Sequence, residues 1–319
     1  MAPASILVIA AGELGDAMLR GLTGHPSAST TRIAVLLRGT TISSNDDIKQ
    51  KHLSSITDRG VHIVEGDIVQ DPPQQLSAIF SNFDTIINCF GFAAPPGTQR
   101  KIAEAALESG CRRYFPWQFG VDYDVIGRNS SQDLFTEQLD VRELLRGQER
   151  MKWVIVSTGM FTSFIFVPEF GIVNAERDTV TALGSWENRI TVTSPSDIGW
   201  LTAEIALSHP DVEGVVFTAG DTVSMAQVAD VVDKVGGKKV QRVEKNVALL
   251  KDELAKEPTD GWRKYRVVFA EGVDSRVNNG KINADWLSGV AWDMNKTFNH
   301  QQQISTQTVE QWAKENLKT

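Results

Sequence analysis

Ile6-Leu7-Val8-Ile9-Ala10-Ala11-Gly12-Glu13-Leu14-Gly15 is the stretch on which the reading of the fold turns. The run Ile6 to Ala11 is unbroken and apolar, as a strand buried on both faces requires. A helical pattern occupies Gly15 to Leu22. Strand, tight turn and helix, with glycine at 12 and 15, match the dinucleotide fingerprint GxGxxG, Ala10 standing in the first glycine's place. Gly12 lets the backbone approach a pyrophosphate, and Gly15 lets the helix pack closely on the strand. The amides at the helix start, Glu13 and Leu14, then face the anion. Ordinary strand–helix turns also use glycine. What favours a cofactor is the place of this turn at the head of a series of βα units.

That series continues outward. Arg32 to Leu37, Val61 to Glu65, Thr85 to Phe90, Arg113 to Pro116 and Trp153 to Ser157 read as short strands. Amphipathic helices are expected over Gln99–Ser109 and Gln132–Arg146. Short apolar strands alternating with helices predict a parallel sheet covered on both faces, a doubly wound α/β Rossmann-type fold. After residue 159 the regularity weakens, although a helix is expected after Ser196, a strand over Gly214–Thr218 and a helix over Ser224–Val235. The expected organisation is a cofactor-binding domain over 1–158 and a smaller, less regular C-terminal substrate-binding lobe over 159–319, with some segments returning to the sheet.

The second strand indicates the nucleotide. It ends Val35-Leu36-Leu37-Arg38, where a binder of NAD ordinarily carries Asp or Glu for the ribose 2′-hydroxyl. An arginine suits a 2′-phosphate instead, being permanently charged and able to bind in a bidentate way. A solvated arginine at a strand end is the plainer alternative. Taken with the turn at Gly12, Arg38 favours NADP(H), and Lys49 and Lys51 are secondary candidates for the same phosphate.

Composition narrows the classes. A chain of 319 residues with net charge −8 lacks the basic surface that nucleic acid or an anionic membrane would select. No segment is long and apolar enough to span a bilayer, and the N-terminus lacks the charged flank of a signal peptide. Two cysteines, Cys89 and Cys111, exclude a disulfide framework, and five scattered histidines show no metal-ligand spacing. A cytoplasmic protein without metal is expected.

Val64-Glu65-Gly66-Asp67, Asp84-Thr85-Ile86-Ile87-Asn88, Gln99, Arg113-Tyr114-Phe115-Pro116-Trp117-Gln118-Phe119-Gly120, Ser196-Asp197-Ile198-Gly199 and Phe217-Thr218-Ala219-Gly220-Asp221 follow the fingerprint in order. With Arg38 they resemble the isoflavone-reductase-like, NmrA-like branch of the atypical short-chain dehydrogenases. The likeness runs over nearly the whole chain, and Phe115 to Tyr123 looks most like members from filamentous fungi. It implies an NADPH-dependent reductase of phenolic or related secondary metabolites, a nicotinamide near Phe115 and Pro116, and a substrate cleft between sheet and lobe. Asn88, Phe90 and Gly91, after the fourth strand, are further cofactor candidates. Part of this family has lost catalysis and senses the cofactor instead.

One departure bears on chemistry. Aligned on Phe135 and on Val141-Arg142, the family's lysine falls on Gln138, and the Ser and Glu of its FPSEFG motif are Trp117 and Gln118 here. Leu134, Gln138, Val141 and Leu145 form one helical stripe, so Gln138 either holds backbone groups inside or faces a cleft. An amide can orient an oxygen but cannot act as a general acid near neutral pH. If a proton is needed, Tyr123, Asp122 or water must supply it. Catalytic candidates are therefore Gln138 and Tyr123. Trp117, Gln118, Asp122, Met160, Phe161 and Phe164 are substrate candidates, with Thr158 and Gly159 beside them, and Phe166 reads as core. The expected function is an NADPH-dependent reductase of a small aromatic, phenolic or polyketide-derived metabolite. The alternatives are a silent NADP(H)-sensing regulator and a non-redox cyclase or isomerase. The expected partners are a small aromatic substrate and a second copy in a homodimer.

Overall fold

The computed structural model describes residues 4–91, 94–128, 133–272 and 289–317. In chain order the first elements are β1 (Ala4–Ile9), α1 (Glu13–Gly24), β2 (Thr31–Leu37), α2 (Gly39–Ile42), α3 (Asp47–Thr57), β3 (His62–Glu65), α4 (Pro73–Phe80), β4 (Thr85–Asn88), α5 (Thr98–Ser109) and β5 (Arg113–Phe115). There follow α6 (Tyr123–Ile126), α7 (Thr136–Arg146), β6 (Lys152–Ser157), β7 (Met160–Phe161), β8 (Thr179–Leu183), β9 (Arg189–Thr193), α8 (Pro195–Ser208) and β10 (Gly214–Phe217). The chain closes with β11 (Asp221–Ser224), α9 (Met225–Gly236), β12 (Gln241–Lys245), α10 (Val247–Lys256), α11 (Gly261–Glu271), β13 (Gly289–Val290), α12 (Phe298–Gln301) and α13 (Val309–Asn316).

The seven-stranded sheet runs β10-β6-β5-β4-β1-β2-β3, the doubly wound order expected of a Rossmann-type fold. β1 pairs in parallel with β2 and β4, so the direction of strand succession reverses at β1. The crevice outside the carboxyl ends of strands at such a reversal is the usual ligand position in open α/β sheets. Hydrophobicity places the core: Leu7, Ile9, Leu36, Phe80, Ile86, Ile102, Tyr114 and Leu145 are buried in one cluster over a face of the sheet. Parallel strands covered on both faces bury nearly every side chain, and β1 shows this with five consecutive buried residues after Ala4.

By Cα proximity the chain divides into two compact units. The first holds residues 1–118, 137–156 and 198–216, and carries the seven-stranded sheet save the last residues of β6 and β10. Within it Arg113 of β5, buried at 6 % exposure, donates to the carbonyls of Ile205, Ala206, His209 and Val212. It thereby satisfies acceptors that the end of α8 leaves without helical donors. Burial lowers its guanidinium to about 10.

The second unit holds residues 119–136, 157–197 and 217–319. β9 is its organising strand, pairing antiparallel with β11 and in parallel with β7 and β13. β8 and β12 form a separate two-stranded parallel ribbon. Ser224 caps α9 in a full capping box with Gln227, which places the helix start where the serine suggested it. The helix expected over Gln132–Arg146 begins at Thr136, and Gln132 lies outside the described residues. No helix among the described residues is long and apolar enough to cross a membrane.

Candidate functional site

The turn after β1 is shaped by three small residues with different tasks. Ala10 adopts φ 72°, the left-handed region that favours glycine, so the fingerprint's first position keeps a glycine-like backbone although it carries a methyl group. Around Gly12 a Cβ would meet nothing within 4 Å, leaving its face open to a ligand. A Cβ on Gly15 would instead run into the carbonyl of Ala10, so Gly15 is required by the helix-on-turn contact itself. Glu13 and Leu14 open α1, which presents free amides at its start.

A cavity of about 390 Å3 lies against this turn. Ala10, Ala11 and Gly12 line it from the turn, Leu36, Leu37 and Arg38 from the end of β2, and Thr41 from α2. Ile48, Lys49, His52 and Leu53 contribute from α3, and Gly66 to Val69 from the segment after β3, with Phe90 from the loop after β4. The walls are thus mostly apolar, with cations at the rim. Among the described residues neither Arg38 nor Lys49 has an ion-pair partner, which leaves two full positive charges available to an incoming anion. The Asp67 carboxylate is occupied, its Oδ1 accepting from the amides of Val69 and Gln70. Lys51 is exposed and does not line the cavity.

Asn88, Phe90 and Gln99 form a lock. Asn88 is fully buried, donates to Gln99 Oε1 at 2.9 Å, and accepts the Phe90 amide on Oδ1 at 2.9 Å. Gln99 Nε2 closes the ring onto the Phe90 carbonyl at 2.7 Å. Asn88 therefore holds the loop that places Phe90 on the cavity. Gly91 lies under the Trp117 ring, whose atoms would stand 3.1–3.2 Å from a Cβ at that position. Phe115 is fully buried in β5, and Pro116 follows it. The thiol of Cys89, buried beside Gly15, is pushed far up by burial and is no nucleophile.

Gln138 sits on α7 at 4 % exposure, with Val141 and Leu145 buried along its stripe. Its backbone carbonyl accepts from Gln118 Nε2 at 2.9 Å, and Gln118 Oε1 accepts from Arg142 Nε at 2.7 Å. Gln118 is thus tied directly to the Gln138 backbone and, by its other amide atom, to the buried Arg142. The side-chain Oε1 of Gln138 is buried with no hydrogen-bond partner, a costly state for an acceptor.

In the second unit Tyr123 is 1 % exposed, stacked on Phe135 with centroids 4.5 Å apart, and its hydroxyl lies against the Gly120 backbone. Asp122 is buried and caps α6, its Oδ1 accepting from the Asp124 amide. Thr158 and Gly159 donate their amides to the Gly120 carbonyl, which ties this loop to the end of β6. Met160 is buried in β7. Phe161 meets Phe164, and Phe164 joins Phe170 and Trp262, an aromatic cluster of the second unit's core.

Sequence reasoning did not single out Thr41, Ile48, His52 or Ile68. The available signal was the pair Ile48-Lys49 at the start of a polar helix, an apolar side chain with no stripe of its own.

Comparison with known proteins agrees with this architecture. The model of the NmrA-like family matches residues 3–271. An NmrA-like family domain-containing oxidoreductase of Gibberella moniliformis is 41% identical over 314 residues, covering 98% of this chain and 97% of that protein. A crystal structure of isoflavone reductase superposes with TM-score 0.76 at 18% identity, over 98% of this chain and 99% of that one. The binary complex of leucoanthocyanidin reductase and NADPH from Vitis vinifera gives TM-score 0.75 at 16% identity, over 98% and 99% of the two chains.

Proposed function

Since the chain belongs to the NmrA-like family, we propose that it is an NADP(H)-dependent reductase of a small aromatic, phenolic or polyketide-derived molecule. The observation that carries this reading is the cavity beside Gly12, which joins an open glycine face to two cations without protein partners, Arg38 and Lys49. A 2′-phosphorylated nucleotide fits that set. The Gly12 turn and the α1 amides would hold the pyrophosphate, and Arg38 with Lys49 the 2′-phosphate. Bound NADPH supplies the hydride. Isoflavone reductase and the NADPH complex of leucoanthocyanidin reductase, reductases named for aromatic substrates, share the fold and support the substrate class.

The chain's own part is to bind, orient and exclude water. In this reading the unpartnered Oε1 of Gln138 would accept a hydrogen bond from a substrate hydroxyl. It supplies no proton. Water would supply the proton for a substrate that needs one.

A second reading, binding of NADP(H) without turnover, is favoured by one observation: the family's lysine is Gln138, tied into the Gln118–Arg142 network. The test separates the two. Calorimetry should give tighter binding of NADPH than of NADH, and NADPH oxidation should follow addition of a member of a phenolic and quinonoid panel. Tight NADPH binding with no oxidation across the panel would favour the sensor. Equal affinity for the two nucleotides would remove the reading of Arg38.

A further inference from the structure

The loop between α2 and α3 carries a pattern that neither the core nor the cavity uses. It reads Ser43-Ser44-Asn45-Asp46, followed by Asp47 at the start of α3, and Ser43 to Asp46 belong to neither helix. Ser43 is exposed and does not line the cavity. Exposed carboxylates stand three and four residues beyond it, at Asp46 and Asp47. A serine hydroxyl on irregular, accessible chain with acidic residues on its C-terminal side suits an acidophilic serine kinase, whose basic groove pairs with those carboxylates.

The same loop joins the two cations that have no protein partner among the described residues, Arg38 and Lys49. Arg38 is the N-cap of α2 and Ser43 its C-cap, and the four-residue helix between them is only about 6 Å long. Lys49 lies in the first turn of α3, its amide donating to Asp46 Oδ1 at 2.9 Å. Ser43 Oγ donates to the Gly39 carbonyl at 2.9 Å, so the hydroxyl points back along α2 toward the neighbour of Arg38. A phosphoryl group on that oxygen carries a charge of about −2 and three acceptor oxygens. It cannot donate to the Gly39 carbonyl and is repelled by it, so it turns toward the start of α3 and the two cations.

We propose that Ser43 is a regulatory phosphorylation site whose modification switches off recognition of the ribose 2′-phosphate. The kinase transfers the γ-phosphoryl group of ATP to Ser43 Oγ. The new O–P bond forms as the bond to the β,γ-bridging oxygen breaks, ADP leaves, and the hydroxyl proton passes to the kinase's base. The phosphoserine then pairs with Arg38 and Lys49, which an incoming 2′-phosphate no longer finds free. This regulation rests on the cofactor reading above and adds to it a second, covalent claimant for the same two charges.

The test treats the purified full-length chain with an acidophilic casein kinase and ATP, and locates the phosphate by peptide mass spectrometry. It should appear on Ser43. Treated and untreated protein are then titrated with 2′,5′-ADP and 5′-ADP. Modification should weaken 2′,5′-ADP by about tenfold or more, the loss of one charge-assisted contact, and leave 5′-ADP within about twofold. Ser43→Ala should bind both probes as the untreated parent does, before and after the kinase. Three results would each overturn the proposal while leaving the cofactor site intact. These are no phosphate on Ser43, an unchanged affinity of the phosphorylated chain for 2′,5′-ADP, and an equal loss for both probes. Failure of the untreated parent to bind either probe overturns the cofactor reading and the switch with it.

Discussion

Single side chains carry most of the chemical argument. The guanidinium of Arg38 has no ion-pair partner among the described residues, so its contribution to a bound 2′-phosphate is not offset by a protein contact that must first break. Charge-assisted hydrogen bonds of this kind contribute about 1.5–3 kcal/mol. Arg38→Ala should therefore weaken NADPH by roughly ten- to a hundredfold and leave NADH nearly unchanged, as a pair of calorimetric titrations would show. An equal loss for both nucleotides would mean that Arg38 acts through the turn. Ala10 bears a different strain. An L-residue at φ 72° costs about 1–2 kcal/mol relative to the right-handed region, and glycine escapes most of that at the expense of a floppier unfolded chain. Ala10→Gly should raise the melting temperature by up to a few degrees, and a fall would show that the methyl group packs usefully. For Gln138, Ala should lower turnover by up to about tenfold if the amide orients substrate, the value of one neutral hydrogen bond. Unchanged turnover with a marked loss of stability would make it a helix-packing residue.

At the level of elements, the turn between β1 and α1 separates two glycines by function. Gly12→Val should leave a folded protein that no longer binds NADPH, because the space around Gly12 is empty of protein. Gly15→Ala should unfold or strongly destabilise the chain, because its Cβ meets the Ala10 carbonyl and nearby backbone cannot yield cheaply. Circular dichroism melts beside titrations distinguish the outcomes, and a stable Gly15→Ala would contradict the close contact. The same element shows why part of the molecule was legible in the sequence. β1, β2 and β4 announce themselves as apolar runs because parallel strands bury both faces, and the order of βα units follows from them. α3 did not, since only Leu53 and Ile56 of its eleven residues are buried and it offers no clear stripe. The cavity-lining side of that helix was hidden for the same reason: Ile48 borders the cavity and stands outside the core. β8 was illegible for a topological reason. Its partner is β12, some sixty residues further along, and neither strand is apolar enough to stand out alone. In the cavity, Gly12, Arg38 and Phe90 were readable from strand ends, whereas the partner that Gln118 finds in Arg142 depends on how the segment after β5 meets α7 and leaves no periodic trace.

For the whole chain, acid sensitivity is written into buried carboxylates. Burial alone would raise Asp233, but hydrogen bonds from Lys239, the Val240 amide and Arg242 outweigh it and hold the carboxyl down to about 2. A carboxyl depressed on folding stabilises fully above its unfolded pKa, near 4, and loses that contribution as pH falls toward 2. Urea midpoints of the parent should therefore drop between pH 4 and 2 more steeply than those of Asp233→Asn, which should start lower at pH 7. Parallel curves would exclude Asp233 as a source of the slope. The interleaving of the units has another consequence, one of timing. Arg113 leaves the ribosome 92 to 99 residues before the carbonyls of 205–212 that will receive its hydrogen bonds. Through that interval of synthesis the Arg113 guanidinium lacks the carbonyls it bonds in the folded chain, and water must serve it until α8 arrives. A chain stopped short of residue 205 is left permanently at that stage, a half-finished product that quality control would meet as unfolded protein.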